Sequence, residues 1–159
     1  MDGSSPNHRL DLRARTIARW LSWLGIIPFI ALALVNASTG FEWTQTPLVV
    51  YAMLILAFMA GAHWIALING NRSSPNAGFE LIATNVLVLG AWPAIAMPTA
   101  WASLWLGLLF CFHLALDTPW RVQAGPAWYR HMRVGLSLVV ITTLILGGLI
   151  GLGLTFKPS

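Results

Sequence analysis

Charge is what this sequence has least of: nine Lys and Arg and five Asp and Glu in 159 residues, 9% of the chain, against about 25% in ordinary soluble domains. A domain of this length cannot build a polar coat for water from so few charges, which excludes a soluble globule. Cysteine is almost missing as well. Cys111 stands alone, so a disulfide scaffold is excluded. Disorder needs low hydrophobicity and high charge, and neither holds where 57% of residues are apolar. The class that is left is an all-α integral membrane domain whose main solvent is lipid.

A hydrocarbon core about 30 Å thick takes about 20 apolar residues per helix. Windows free of charge and bounded by polar or turn residues predict five transmembrane helices, at about 17–37, 47–69, 79–97, 99–117 and 134–156, after a basic tail at 1–15. The 36 uncharged residues at 81–116 are too many for one span. Met97-Pro98-Thr99 is the place for a tight turn within them, because proline ends a helix and holds its predecessor extended. This division puts eight of the nine basic side chains on one side: Arg9, Arg13, Arg15, Arg19, Arg72, Arg121, Arg130 and Arg133, with Lys157 alone opposite. The positive-inside rule then sets the N-terminus inside and the C-terminus outside. The basic excess, with a pI near 10.2, reads as this topology signal plus attraction to anionic headgroups. No nucleic-acid recognition motif accompanies it. A basic start followed by an apolar stretch also imitates a signal peptide, but here the stretch is span-length.

Helices in lipid are held by close packing of small residues and by a few hydrogen bonds. Gly147-x-x-x-Gly151 in the fifth span and Ala57-x-x-x-Gly61 in the second are the expected packing positions, within the bundle first and as a face for a second copy or a membrane partner next. Among the nine Trp, Trp20, Trp23, Trp43, Trp101, Trp120 and Trp128 fall near predicted interfaces, where amphipathic rings anchor. Trp64, Trp92 and Trp105 lie deeper and are expected to fill the core.

Ionisable groups inside spans mark a site by default. His63 and Asn85 fall toward the inner ends of their helices, Glu80 begins the third span, and His113 and Asp117 end the fourth, four residues apart on one helix face. Three readings of this inner layer stay open. His63, Asn85 and His113 can bond neighbouring helices while Asp117 and Glu80 neutralise Arg72, Arg121, Arg130 or Arg133. Alternatively His63, Trp64, Asn85, His113 and Asp117 line an inward pocket for an amphipathic ligand, a lipid headgroup or a quinone, with Arg121 and Arg130 at its mouth. The third reading is a metal or haem site on His63, His113 and Asp117, without tight ligand spacing to support it. No phosphate loop, nucleophile elbow or zincin helix is present, so no catalytic residue, cofactor or metal is assigned.

Residues 51–64, closing on Gly61-Ala62-His63-Trp64, and Asp117 followed by residues 126–133, Pro-Ala-Trp-Tyr-Arg-His-Met-Arg, resemble a bacterial membrane-protein family of unknown function numbered 3429, itself similar to eukaryotic transmembrane protein 69. Residues 23–29, with Pro28, fit the same pattern. The resemblance implies about five membrane helices and no reaction. Its recurrent positions map to Pro28, Gly61, His63, Trp64, Asp117, Trp128, Tyr129 and Arg133, with Ala62 where a second glycine is expected. The functional expectation is a non-enzymatic accessory or assembly protein of an inner membrane, bacterial or mitochondrial. Binding of an amphipathic ligand at the inner layer is the alternative.

Overall fold

The structure, a computed structural model, describes residues 16–17, 19–39, 45–69, 75–117 and 127–153. Every regular element among them is helical. Helical turns at 19–24 lead through Gly25 and Ile26 into α1 (Ile27–Thr39); α2 is Gln45–Ile68, α3 is Ala77–Ala91 continued by a 3-10 turn at Trp92–Ala96, α4 is Thr99–Leu116 and α5 is Ala127–Gly151. Four stretches are long and apolar enough to cross a membrane: Thr46–Ile68, Ala77–Ala96, Thr99–Leu116 and Tyr129–Gly151. Arg19–Val35 is apolar but shorter.

The expected first span at 17–37 is therefore not one continuous α-helix, and the reason is local. Pro28 has no N–H to give to the carbonyl of Leu24, four residues back. The chain closes a tighter turn at Gly25 and Ile26, where Ile26 N–H donates to Trp23 O at 3.1 Å. A broken helix strands backbone carbonyls that lipid cannot satisfy. Tyr51 of α2 supplies a donor here, its hydroxyl lying 2.6 Å from Gly25 O.

The turn between α3 and α4 falls where proline predicts it. Met97 and Pro98 are both extended, at φ −87, ψ 150 and φ −54, ψ 139. Passage from α to 3-10 geometry before the turn disturbs the carbonyl ladder, and Trp105 of α4 donates its indole N–H to Gly90 O at 2.7 Å. Trp105 is thus partly buried, as expected. Trp64 and Trp92 are not core residues: they are 40% and 69% exposed and turn toward the surroundings.

The buried core runs between the helices through Phe29, Leu56, Leu106, Phe110, Val140 and Leu144. Outside it, Leu54, Phe58, Ile82 and Leu89 are all more than half exposed, so the surface is as apolar as the interior. That is the arrangement of a bundle solvated by lipid.

The most extensive packing joins α4 to α5, through glycine. A Cβ on Gly148 would stand 2.6 Å from Leu104 Cγ and 2.9 Å from Ala100 O, and one on Gly151 would stand 3.0 Å from Ala100 Cβ. Gly107 of α4 answers with its own close approach, 3.1 Å to Ile145. Of the expected packing pair, Gly151 is in the seam and Gly147 is not: nothing lies within 4 Å of its Cβ position. Gly61 is likewise open and exposed, and Ala57 is half-buried. The seam follows a spacing of three residues, Gly148 to Gly151, one position round the helix from the expected face.

Candidate functional site

Four helices bring polar side chains to one end of the bundle. His63 lies near the end of α2, Glu80 near the start of α3, Asp117 caps the end of α4 and Arg133 lies in the second turn of α5. The up-and-down order of the helices is what gathers these positions, because alternate helices start and finish at the same level.

His63 is the centre of the cluster and is 1% exposed. Its Nε2 stands 2.9 Å from Glu80 Oε2; with a proton on Nε2 the imidazole donates to the carboxylate. Its Nδ1 stands 3.7 Å from Asp117 Oδ1, too far for a hydrogen bond but close enough for one carboxylate to feel the other side of the ring. The His113 ring is fully buried and meets His63 edge to face, centroids 6.0 Å apart at 75°. Neither His113 nitrogen has a hydrogen-bond partner among the described residues.

Arg133 closes the cluster from α5. Its Nε lies 2.8 Å from Asp117 Oδ2, with both side chains 13% exposed. Nη1 donates to the Tyr129 hydroxyl at 3.2 Å, and Nη2 to Met59 O at 3.4 Å. Tyr129 is four residues earlier on α5, the spacing that places two side chains on one helix face. An isolated charge at this depth is costly; here each charged group faces a partner.

This changes the expected site in definite ways. His63, His113 and Asp117 do come together. Asn85 does not: it is exposed and bonds its own helix, Nδ2 donating to Leu81 O at 2.8 Å. Trp64 faces outward, because consecutive helical residues point about 100° apart and His63 takes the inward direction. Arg130 is half-buried and makes no hydrogen bond or ion pair with the cluster among the described residues, while Arg133, which a helix starting at 134 would leave in the flanking segment, sits inside a helix that begins at Ala127 and turns inward. Arg121, Arg72 and the side chain of Trp128 lie outside the described residues. Glu80, Tyr129 and Arg133 are the members that the expected pocket omitted. The four-residue step from Tyr129 to Arg133 and the position of Glu80 opposite His63 were the available signals.

The fit to a metal is poor on donor geometry. Among the described residues no group of three or more His, Cys, Asp or Glu side chains is placed to hold an ion. Asp117 already carries the Arg133 guanidinium, and a second cation there would face like charge.

An apolar groove of about 320 Å³, with Arg133 in its lining, lies between the 19–26 segment, α2 and α5. Met59, Tyr129 and Arg133 line it, and Leu54, Phe58, Leu136 and Val140 are among its other walls.

Residues 14–149, nearly the whole described bundle, match the family described as "Protein of unknown function (DUF3429)". The chain belongs to this family. It is also similar to a protein named Transmembrane protein 69 from Xenopus tropicalis, 28% identical over 155 residues, covering 87% of this chain and 59% of the relative. The chain thus spans less than two thirds of that relative's length. No solved structure matches. The DUF3429 member described here is a helical membrane protein. Of the eight positions that the resemblance singled out, His63, Asp117, Tyr129 and Arg133 are the ones that meet in the cluster; Pro28 sits at the helix break, Gly61 and Trp64 face outward.

Proposed function

We propose that this protein is an accessory or assembly protein of an inner membrane, crossing it five times with the N-terminus inside, and that it acts through its lipid-embedded faces rather than by catalysis. The observation that carries this reading is the inward engagement of the polar groups. Glu80, His63, Asp117, Arg133 and Tyr129 face one another across four helices, so the cluster ties the bundle together, and the surface left for other molecules is apolar. On that surface Gly61 and Gly147 have no neighbour within 4 Å, which leaves room for a helix of another chain to approach closely. Five spans are favoured by the apolar Arg19–Val35 stretch and by the one-sided distribution of Arg.

Native mass spectrometry after gentle extraction tests it. A dimer or a stoichiometric partner is expected, lost in a Gly61→Leu, Gly147→Leu double variant whose thermal stability is unchanged. A strictly monomeric particle without partner overturns the reading. The groove beside Arg133 favours a second one, binding of a small amphipathic ligand.

A further inference from the structure

Three features of the groove decide what it can take. The first is where its polarity lies. Of the described residues lining it, Arg133 alone carries a formal charge, with Ser22, Tyr51 and Tyr129 as the other side chains that have a nitrogen or oxygen atom. The polar end is therefore the α2–α5 end at Arg133 and Tyr129, and the walls away from it are Leu, Phe, Met and Val.

The second is the state of the guanidinium. Arginine carries five N–H groups. Nε faces Asp117, one Nη1 hydrogen serves the Tyr129 hydroxyl and one Nη2 hydrogen serves Met59 O. Besides Nε, which pairs with Asp117 by charge without a hydrogen bond, one N–H on each of Nη1 and Nη2 is left over on a side chain that lines the groove and is 13% exposed. In lipid an unmade hydrogen bond is not replaced by water, so these donors call for an acceptor.

The third is charge. Arg133 is already balanced by Asp117 at 2.8 Å. Arg130 and His131, next along α5, do not line the groove. An anionic headgroup placed there would bring a second negative charge against a pair that is neutral, in a low-dielectric site where no further cation lines the groove among the described residues. A neutral acceptor meets no such opposition, and a carbonyl oxygen with two lone pairs can accept from the N–H groups left over.

From these we infer that the groove between the 19–26 segment, α2 and α5 binds a neutral amphiphile through a carbonyl oxygen at Arg133, its apolar tail lying along Leu54, Phe58, Leu136 and Val140. The inference rests on the ligand-binding reading and narrows it: quinone rings and neutral ester lipids share this chemistry, whereas phosphate-headed lipids are disfavoured. A volume of about 320 Å³ is at the small end of ligand sites, enough for a headgroup and the first part of a tail, the remainder extending into the bilayer.

The test uses the full-length protein in phosphatidylcholine nanodiscs and four probes: decylubiquinone, monoolein, oleate and dodecane, with binding followed by intrinsic tryptophan and tyrosine fluorescence and by the shift in melting temperature. Saturable binding of decylubiquinone or monoolein, at least tenfold tighter than oleate or dodecane, is expected, and the comparison of these two tells ring carbonyl from ester. Two variants locate it. Arg133→Gln removes the guanidinium and is expected to weaken binding at least tenfold. Because Arg133→Gln also strips Asp117 of its partner and can unfold the bundle, Ala62→Phe, which fills the groove from α2 and leaves the ion pair alone, is expected to abolish binding with the melting temperature of the unliganded protein unchanged. Preferred binding of oleate overturns the neutral-carbonyl assignment and leaves ligand binding standing. Failure of all four probes overturns both, and full binding by Ala62→Phe overturns the location.

Discussion

The two ends of this bundle are held by different physics. Where α4 meets α5 away from the cluster, Gly107, Gly148 and Gly151 let backbones close to contact on Ile145, Leu104 and Ala100, and no hydrogen bond or charge takes part. At the other end His63, Glu80, Asp117 and Arg133 join four helices through two short polar contacts, 2.9 and 2.8 Å. The first device has a shallow dependence on each atom and a steep one on shape, since dispersion is small per contact and overlap is not tolerated. The second depends steeply on chemical identity, because removing one partner leaves a buried charge with nothing to face. Lipid permits both, as neither relies on expelling water.

Substitutions separate the two, and reversible unfolding in mixed micelles reads them. The largest loss is expected from Arg133→Leu, which removes the cation 2.8 Å from Asp117 and costs about 3–5 kcal/mol. If the cluster acts by charge pairing, Arg133→Leu combined with Asp117→Leu recovers most of that loss; a double variant as unstable as the single one contradicts the pairing account. At the seam, Gly148→Ala sets a methyl group against Ala100 O and Leu104 and is expected to cost about 1–3 kcal/mol, whereas Gly147→Ala one residue away leaves stability unchanged. Equal effects at 147 and 148 would refute the observed face. Tyr51→Phe deletes only the bond to Gly25 O and should lose about 0.5–1.5 kcal/mol, with added mobility of the 19–26 segment visible in hydrogen exchange. Least of all, Asn85→Leu is expected to move stability by under about 0.5 kcal/mol, since Asn85 bonds only its own helix; a large loss would return it to the polar cluster.

Much of this architecture was legible in composition and hydropathy. The runs at 47–69 and 99–117 correspond closely to α2 and α4, and the proline at 98 marks the turn because its ring leaves few conformations open. That the polar residues gather at one end was also readable, from depth alone. Direction around each helix was harder. His63 against Trp64 and Gly148 against Gly147 differ by one residue, and a run that is apolar on all sides carries no signal saying which side faces a neighbour. Arg133 was obscured for a different reason: a basic residue beside an apolar run looks like a flank, and only its partner Asp117, on another helix, shows that it belongs inside. In α1 the proline was visible, but the donor that serves the backbone at the break, Tyr51, comes from the next helix.

The turn at Met97 and Pro98 bears on how deeply α3 and α4 can sit in lipid. Two extended residues join α3, through its 3-10 extension, to α4, and the 36 residues at 81–116 contain no Lys, Arg, Asp or Glu. No charge in that stretch is available to hold the turn in water, and the tip carries one N–H fewer because Pro98 has none. A tip so poor in polar groups costs little to leave within the apolar layer, so the two helices can sit there as one hairpin, clasped by the Trp105–Gly90 bond.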